Sequence, residues 1–202
     1  MKLYYSPGAC SLASHIALHE TGLPFDIDRL IKTTKMTVGG ENYMQLNPKG
    51  YVPALKLDDG NILTECAAVL QYIADQKPES GLAPKAGTLE RYRLQEWLTF
   101  IGTELHKSFS PLFNKAASEE VKNSARDLLG KRLGYVETQL ANKAFLVGER
   151  FTVADAYLFV VAGWGKHVSV DLSHFPKIQE YLARITARPA VQAAMKAEGL
   201  IP

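Results

Sequence analysis

The sequence predicts an α+β unit over residues 1–80, a linker at 81–87 and an all-α helical unit over 88–202. Three observations carry this. Short β-patterned stretches alternate with helical ones as far as Gln76, in the order β-α-β-α-β-β-α. Prolines and glycines then crowd into Pro78-Glu79-Ser80-Gly81-Leu82-Ala83-Pro84-Lys85-Ala86-Gly87. Beyond Thr88 every patterned stretch is helical.

Lys2 to Tyr5 reads as a strand, with two aromatic β-formers. Leu12, His15, Ile16, Leu18 and His19 recur at helical spacing until Gly22, a natural stop. Phe25 to Ile31 alternates apolar and polar residues as a second strand. The strand–helix–strand unit so formed favours parallel pairing. Between 32 and 50 only a short helix near Glu41 to Leu46 is expected. Tyr51 to Leu57 and Ile62 to Thr64 are strands joined by the turn Asp58-Asp59-Gly60-Asn61, and Glu65 to Gln76 is a helix. Thr88 to Phe113 reads as one long helix with Leu94, Leu98, Ile101, Leu105 and Phe109 on its core stripe. Ser118 caps the next, with Val121, Ala125, Leu128, Leu133, Val136 and Leu140 expected inward. Thr152 to Asp155 has the form of a capping box, and Ala156 to Trp164 is apolar on nearly every side, as a buried helix must be. Helices at 175–187 and 189–198 close the chain.

At 202 residues, 47% hydrophobic and 22% charged, the composition is that of an ordinary globular protein. A net charge of +2, with no basic run longer than a pair, argues against nucleic-acid binding. The apolar stretch at Leu3 to Tyr5 is too short for an export signal, and Ala156 to Trp164 is half a membrane span. Two cysteines make a poor disulfide scaffold, so a reducing, cytoplasmic setting with both thiols free is expected. No metal-ligand set stands out.

Cys10 lies where the first strand hands over to the first helix, behind the Pro7-Gly8 turn. Unpaired amides and the positive end of the helix dipole favour a thiolate there, although a free cysteine is equally well read as a small buried hydrophobe. Pro53, inside a strand pattern, marks either an edge strand or a cis bond that turns the Val52 backbone outward. At Thr64-Glu65-Cys66 a second helix start offers amides to a carboxylate and Glu65 to an ammonium group. Complementing the helix dipole is the plainer role for Glu65. Thr99, Thr103 and His106 share a face of the long helix beside its apolar stripe. Phe109, Phe113, Trp164 and His167 can wall an apolar pocket, or simply pack in a core.

These pieces together resemble a glutathione transferase, most closely the bacterial beta class. The resemblance rests on Tyr5-Ser6-Pro7-Gly8-Ala9-Cys10-Ser11, Asn47-Pro48-Lys49-Gly50-Tyr51-Val52-Pro53-Ala54-Leu55, Leu63-Thr64-Glu65, Glu104-Leu105-His106-Lys107 and the Thr152 to Asp155 box, and it spans Met1 to Pro202. It implies a thioredoxin-like first domain, a homodimer and one glutathione per subunit as co-substrate. By position, Cys10, Ser11 and His106 are the expected catalytic residues. Lys35 would meet the glycyl carboxylate, Val52 and Pro53 the cysteinyl backbone, and Glu65 and Cys66 the γ-glutamyl end. Thr99, Thr103, Glu104, Leu105 and His106 would line the site. Tyr5 and Ala9 would join Phe109, Phe113, Trp164 and His167 around a small apolar electrophile.

Two positions depart from the class pattern: Thr99 stands where it has Asn, and Cys66 where Ser or Gly is common. Ala13 removes any Cys-x-x-Cys pair, leaving one thiol in that turn. The implied activity is transfer of the glutathione thiolate. The alternatives are thiol–disulfide reduction or dehalogenation through a Cys10 mixed disulfide, and a non-catalytic ligand-carrying dimer.

Overall fold

The computed structural model describes residues 1–202. It divides into two compact units, Met1–Ala83 with Ala187–Pro202 and Pro84–Thr186. The sequence boundary assigned everything after the linker to the helical half, whereas the chain's last helix belongs to the first unit.

In the first unit, β1 (Lys2–Tyr5) is the central strand of a five-stranded sheet of order β3-β2-β1-β4-β5. It pairs in parallel with β2 (Asp26–Ile31), and β4 (Ala54–Lys56) and β5 (Ile62–Thr64) continue antiparallel. The connection is α1 (Ser11–Thr21), which stops at Gly22, at φ 64, where the amide returns to the Leu18 and His19 carbonyls. Helix α3 (Cys66–Gln76) and α9 (Pro189–Ala197) both pack on α1, which explains why α1 is buried almost all round.

Two details differ from the sequence reading. A two-residue strand, β3 (Met36–Thr37), pairs with the end of β2. The third expected strand shrinks to Ala54–Lys56, which begins after the cis Val52–Pro53 bond. Before that bond, the Tyr51 carbonyl accepts from the Tyr43 hydroxyl at 2.6 Å and from Asn47 Nδ2 at 2.7 Å. Tyr43 sits in short helix α2 (Tyr43–Leu46) and packs edge-on against Tyr4 of β1, so the turn is tied to the sheet's core.

In the second unit, α4 (Leu89–Phe100) runs into a π-helical segment, Ile101–His106, and then α5 (Lys107–Phe113). The stripe from Leu94 to Phe109 is buried as expected. On α6 (Glu119–Leu140) the inward set is Ala125, Leu129, Leu133, Val136 and Leu140, at steps of four and three. Leu128 lies one residue off that row and is exposed, as is Val121 in the first turn. Helix α7 (Val153–Gly163) is buried from Val153 to Ala162, and α8 (Pro176–Thr186) follows. No helix is long and apolar enough to cross a membrane.

The start of α7 is held by a fully buried carboxylate. Asp155 Oδ2 accepts from the Thr152 amide and hydroxyl, each at 2.8 Å, and Oδ1 from the Leu146 amide and the Tyr181 hydroxyl, each at 2.9 Å. Burial pushes the carboxyl upward, against four donors that favour its charge. Truncation would strand those donors away from water, where each costs about 1–3 kcal/mol. Asp155→Ala should therefore lose at least about 3 kcal/mol of stability in urea unfolding; a loss below about 1 kcal/mol would contradict this account of the cap.

Candidate functional site

The loop that delivers Cys10 is over-determined. Gly8, at φ 69, makes a turn that L side chains rarely adopt, and its amide donates to Glu198 Oε2 at 2.9 Å. Ser11 Oγ accepts from the Ser6 amide at 3.2 Å and donates to the Ser6 carbonyl at 3.3 Å. Expected among the catalytic residues, Ser11 is instead a fully buried clamp across its own loop. Glu198 Oε1 meets His15 Nδ1 at 3.0 Å, and the His15 ring stacks on His19 beside Tyr5 and Phe25. Tyr5 is thereby buried under α1, while Ala9 is half-buried in the loop. Nothing local in the sequence signals Glu198: it follows α9, far along the chain from the loop it holds.

Cys10 occupies the N-cap position of α1 with helical dihedrals and no side-chain oxygen as cap. Its thiol donates to the Val52 carbonyl at 3.1 Å. The Cys66 thiol, at the first residue of α3, donates to the Cys10 carbonyl at 3.5 Å. Hydrogen bonding from Cys66 lowers the Cys10 thiol below its ordinary pKa. Burial opposes the change, and the Cys10 and Ser11 amides reinforce it. The Val52 carbonyl, an acceptor, favours the protonated form, but it stands alone against three donors. Burial, first, and the neighbouring Cys10 sulfur hold Cys66 as a thiol, well above its ordinary value. Both cysteines are buried and free.

Around this sulfur pair the structure gathers Val52, Pro53 and Glu65. Val52 precedes the ladder, which starts at Ala54, and packs on the Tyr4–Tyr43 cluster. Glu65, before α3, has φ 72, a left-handed backbone unusual for a residue with a Cβ. Its side chain is exposed and ion-paired with Lys49, a partner the sequence did not indicate. The first-turn amides of α3 have no partners within the helix. Lys35, at φ 58 after β2, is exposed.

In the helical unit, His106 Nδ1 lies 2.7 Å from the Tyr157 hydroxyl, and its ring meets Trp164 edge-on at 4.8 Å. Phe109 and Phe113 complete the cluster against Trp164, Phe113 with half its surface exposed. Burial, and secondarily Lys107, pull the His106 pKa down to about 4, so the ring is neutral at ordinary pH. Thr99 and Thr103 are exposed, and the Thr103 hydroxyl is spent on the Thr99 carbonyl at 3.0 Å. Glu104 pairs with Arg132 at 2.7 Å, Leu105 is fully buried and His167 is exposed.

Residues 8–76 match the family model described as glutathione S-transferase, N-terminal domain, and residues 100–189 that of the C-terminal domain. The chain is 46% identical to the glutathione S-transferase GstA of Escherichia coli O157:H7, over 99% of this chain and 100% of that one. It is similar to the solved bacterial beta class glutathione S-transferase of Sphingomonas chungbukensis, with 51% identity, a TM-score of 0.97 and 100% of each chain covered. A sphingomonad glutathione S-transferase complexed with glutathione has 49% identity and the same TM-score, 0.97, again over 100% of each chain.

The neutral His106 has a consequence for stability. Unfolded, the imidazole takes a proton near pH 6.5; in the fold it does so only near 4. Between those values the unfolded chain binds more protons, so acid destabilises the protein by on the order of 3 kcal/mol at this residue by pH 4. Thermal melts from pH 7 to pH 4 should fall less steeply for His106→Gln than for the natural protein; parallel slopes would refute the assignment.

Proposed function

The chain belongs to the glutathione S-transferase family, in its bacterial beta class, and we propose that it holds the glutathione sulfur against Cys10 and delivers the thiolate to small apolar electrophiles. The observation that carries this is the meeting of two helix N-termini and the Val52 turn around one activated sulfur. Each part suits one segment of a γ-glutamyl tripeptide. Unpaired amides at the start of α3 suit the γ-glutamyl carboxylate, and Glu65 its ammonium. The Val52 backbone, which lies outside the strand ladder, suits the cysteinyl unit in the manner of an added strand, and exposed Lys35 the glycyl carboxylate. A ligand amide that takes the Val52 carbonyl removes the one acceptor favouring a protonated Cys10. Binding and thiolate formation then support each other.

Lys49 already occupies Glu65, but an exposed ion pair is worth little, so an incoming ammonium displaces it at small cost. His106, Phe109, Phe113 and Trp164 are the proposed lining of the electrophile pocket, with the neutral imidazole as a hydrogen-bonding group. Thr99, Thr103 and Glu104 are assigned a peripheral part, and Ser11 a positioning one. Exposed Leu89, Tyr92, Leu128 and Tyr135 on α4 and α6 support a homodimer, for which the expected sedimentation mass is twice that of the chain.

Calorimetric titration with reduced glutathione tests the reading: saturable binding is expected, and no heat at millimolar ligand would overturn it. Glu65→Gln should weaken binding roughly tenfold or more, the loss of a charge-assisted contact. Lys49→Ala, which removes the competitor, should leave affinity unchanged or raise it. A Lys49→Ala loss equal to that of Glu65→Gln would mean that the pair, not Glu65, receives the ligand.

A further inference from the structure

Transfer of a thiolate requires one sulfur on the protein at most, yet this site holds two. Cys66 is the first residue of α3, Cys10 the N-cap of α1, and the two helices pack side by side with their N-termini together. The Cys66 thiol donates to the Cys10 carbonyl at 3.5 Å, which brings it onto the residue that carries the other sulfur. Its own environment offers it nothing else to do. The residue is buried, and its remaining polar neighbour is the Ser14 hydroxyl, itself fully buried and otherwise without a hydrogen-bond partner. The glutathione site described above accounts for the backbone amide of Cys66 and leaves its sulfur unused.

We infer that Cys66 is a second reacting thiol, which resolves the disulfide formed between Cys10 and glutathione, so that the pair reduces oxidised glutathione and related mixed disulfides. The inference rests on the reading that a glutathione sulfur lies against Cys10. In the first step the Cys10 thiolate attacks one sulfur of oxidised glutathione. A Cys10–glutathione bond forms, and the first glutathione leaves as a thiolate that takes a proton from solvent. In the second step Cys66 attacks the Cys10 sulfur, its proton passing to the departing second glutathione. A Cys10–Cys66 bond replaces the mixed disulfide. In sum, two protein thiols lose two electrons and one disulfide becomes two molecules of reduced glutathione. Excess reduced glutathione returns the pair to thiols by the reverse steps.

The geometry also orders the steps. While Cys10 is a thiolate, its charge and its hydrogen bond both keep the proton on Cys66. Once Cys10 is bonded to glutathione that charge is gone, and burial and the Glu65 carboxylate are what still favour the protonated Cys66, with Ser14 beside it favouring the thiolate. Completion of the first step therefore removes the Cys10 contributions that oppose ionisation of the second thiol.

The test is intact mass and peptide mapping after the reduced protein meets oxidised glutathione and is quenched in acid. The natural protein should lose two hydrogens and give a linked Cys10–Cys66 peptide. Cys66→Ser and Cys66→Ala, checked for native circular dichroism, should instead keep one glutathionyl group on Cys10, at roughly tenfold or greater occupancy than the natural protein. A natural protein that retains the adduct as fully as both variants overturns the resolving role while leaving the glutathione site intact. A parallel arm uses hydroxyethyl disulfide. If that reagent drives the internal bond while oxidised glutathione modifies no form of the protein, the resolving role stands and the glutathione placement fails. If neither reagent oxidises the pair, the proposal is wrong.

Discussion

Helix α1 begins without an oxygen to cap it. Where serine, threonine or aspartate would normally satisfy the first amides, the chain puts Cys10, whose sulfur is a weak acceptor until it ionises. The helix end is thus better satisfied with the thiolate than with the thiol, and that mismatch is the constraint the surrounding structure serves. A helix start that needs a charge on a nearby atom must hold that atom still. Gly8 supplies the turn, Ser11 clips the loop to itself, and the carboxylate of Glu198 reaches back from beyond α9 to fix the Gly8 amide. The chain's last segment joins the first unit for the same reason that His15 and Glu198 are buried together: each leaves the other a partner that water would otherwise provide.

Much of this was legible in sequence because its signals are local. The Pro7-Gly8 turn before Cys10, Gly22 after α1, the Asp58-Asp59-Gly60-Asn61 turn and the Thr152–Asp155 box are each decided within a few residues, where turn and cap chemistry has few solutions. Periodicity likewise gave the buried stripe of the long helix and the wholly buried α7. What it missed is non-local or marginal. Two-residue β3 has no periodicity to read. The third strand starts only after Pro53, a position that composition leaves open between two readings. Leu128 and Leu129 are equivalent by composition, and only the packing of α6 selects the second.

The site divides in the same way. Cys10, Val52, Glu65 and Cys66 converge because strand ends and helix starts of one α/β unit converge, so topology alone nearly dictates their meeting. On the long helix, regular spacing does not hold throughout. A π-helical segment from Ile101 to His106 departs from regular spacing just there, and His106 engages Tyr157 while Thr99 and Thr103 face solvent. Tyr157 and Lys49 were invisible as site residues because each acts through a partner distant in sequence, His106 and Glu65 respectively.

The central claim is that Cys10 is an activated sulfur, held by the Cys66 thiol and its own helix amides in a form that ionises below the range of an ordinary thiol. The pH dependence of iodoacetamide alkylation measures this directly, with the modified residue located by peptide mass. Alkylation at Cys10 should rise with a midpoint below the value of about 8.5 for a free cysteine. A midpoint at or above that value would contradict the account, because a sulfur ordinarily protonated at neutral pH would need none of the architecture built around it.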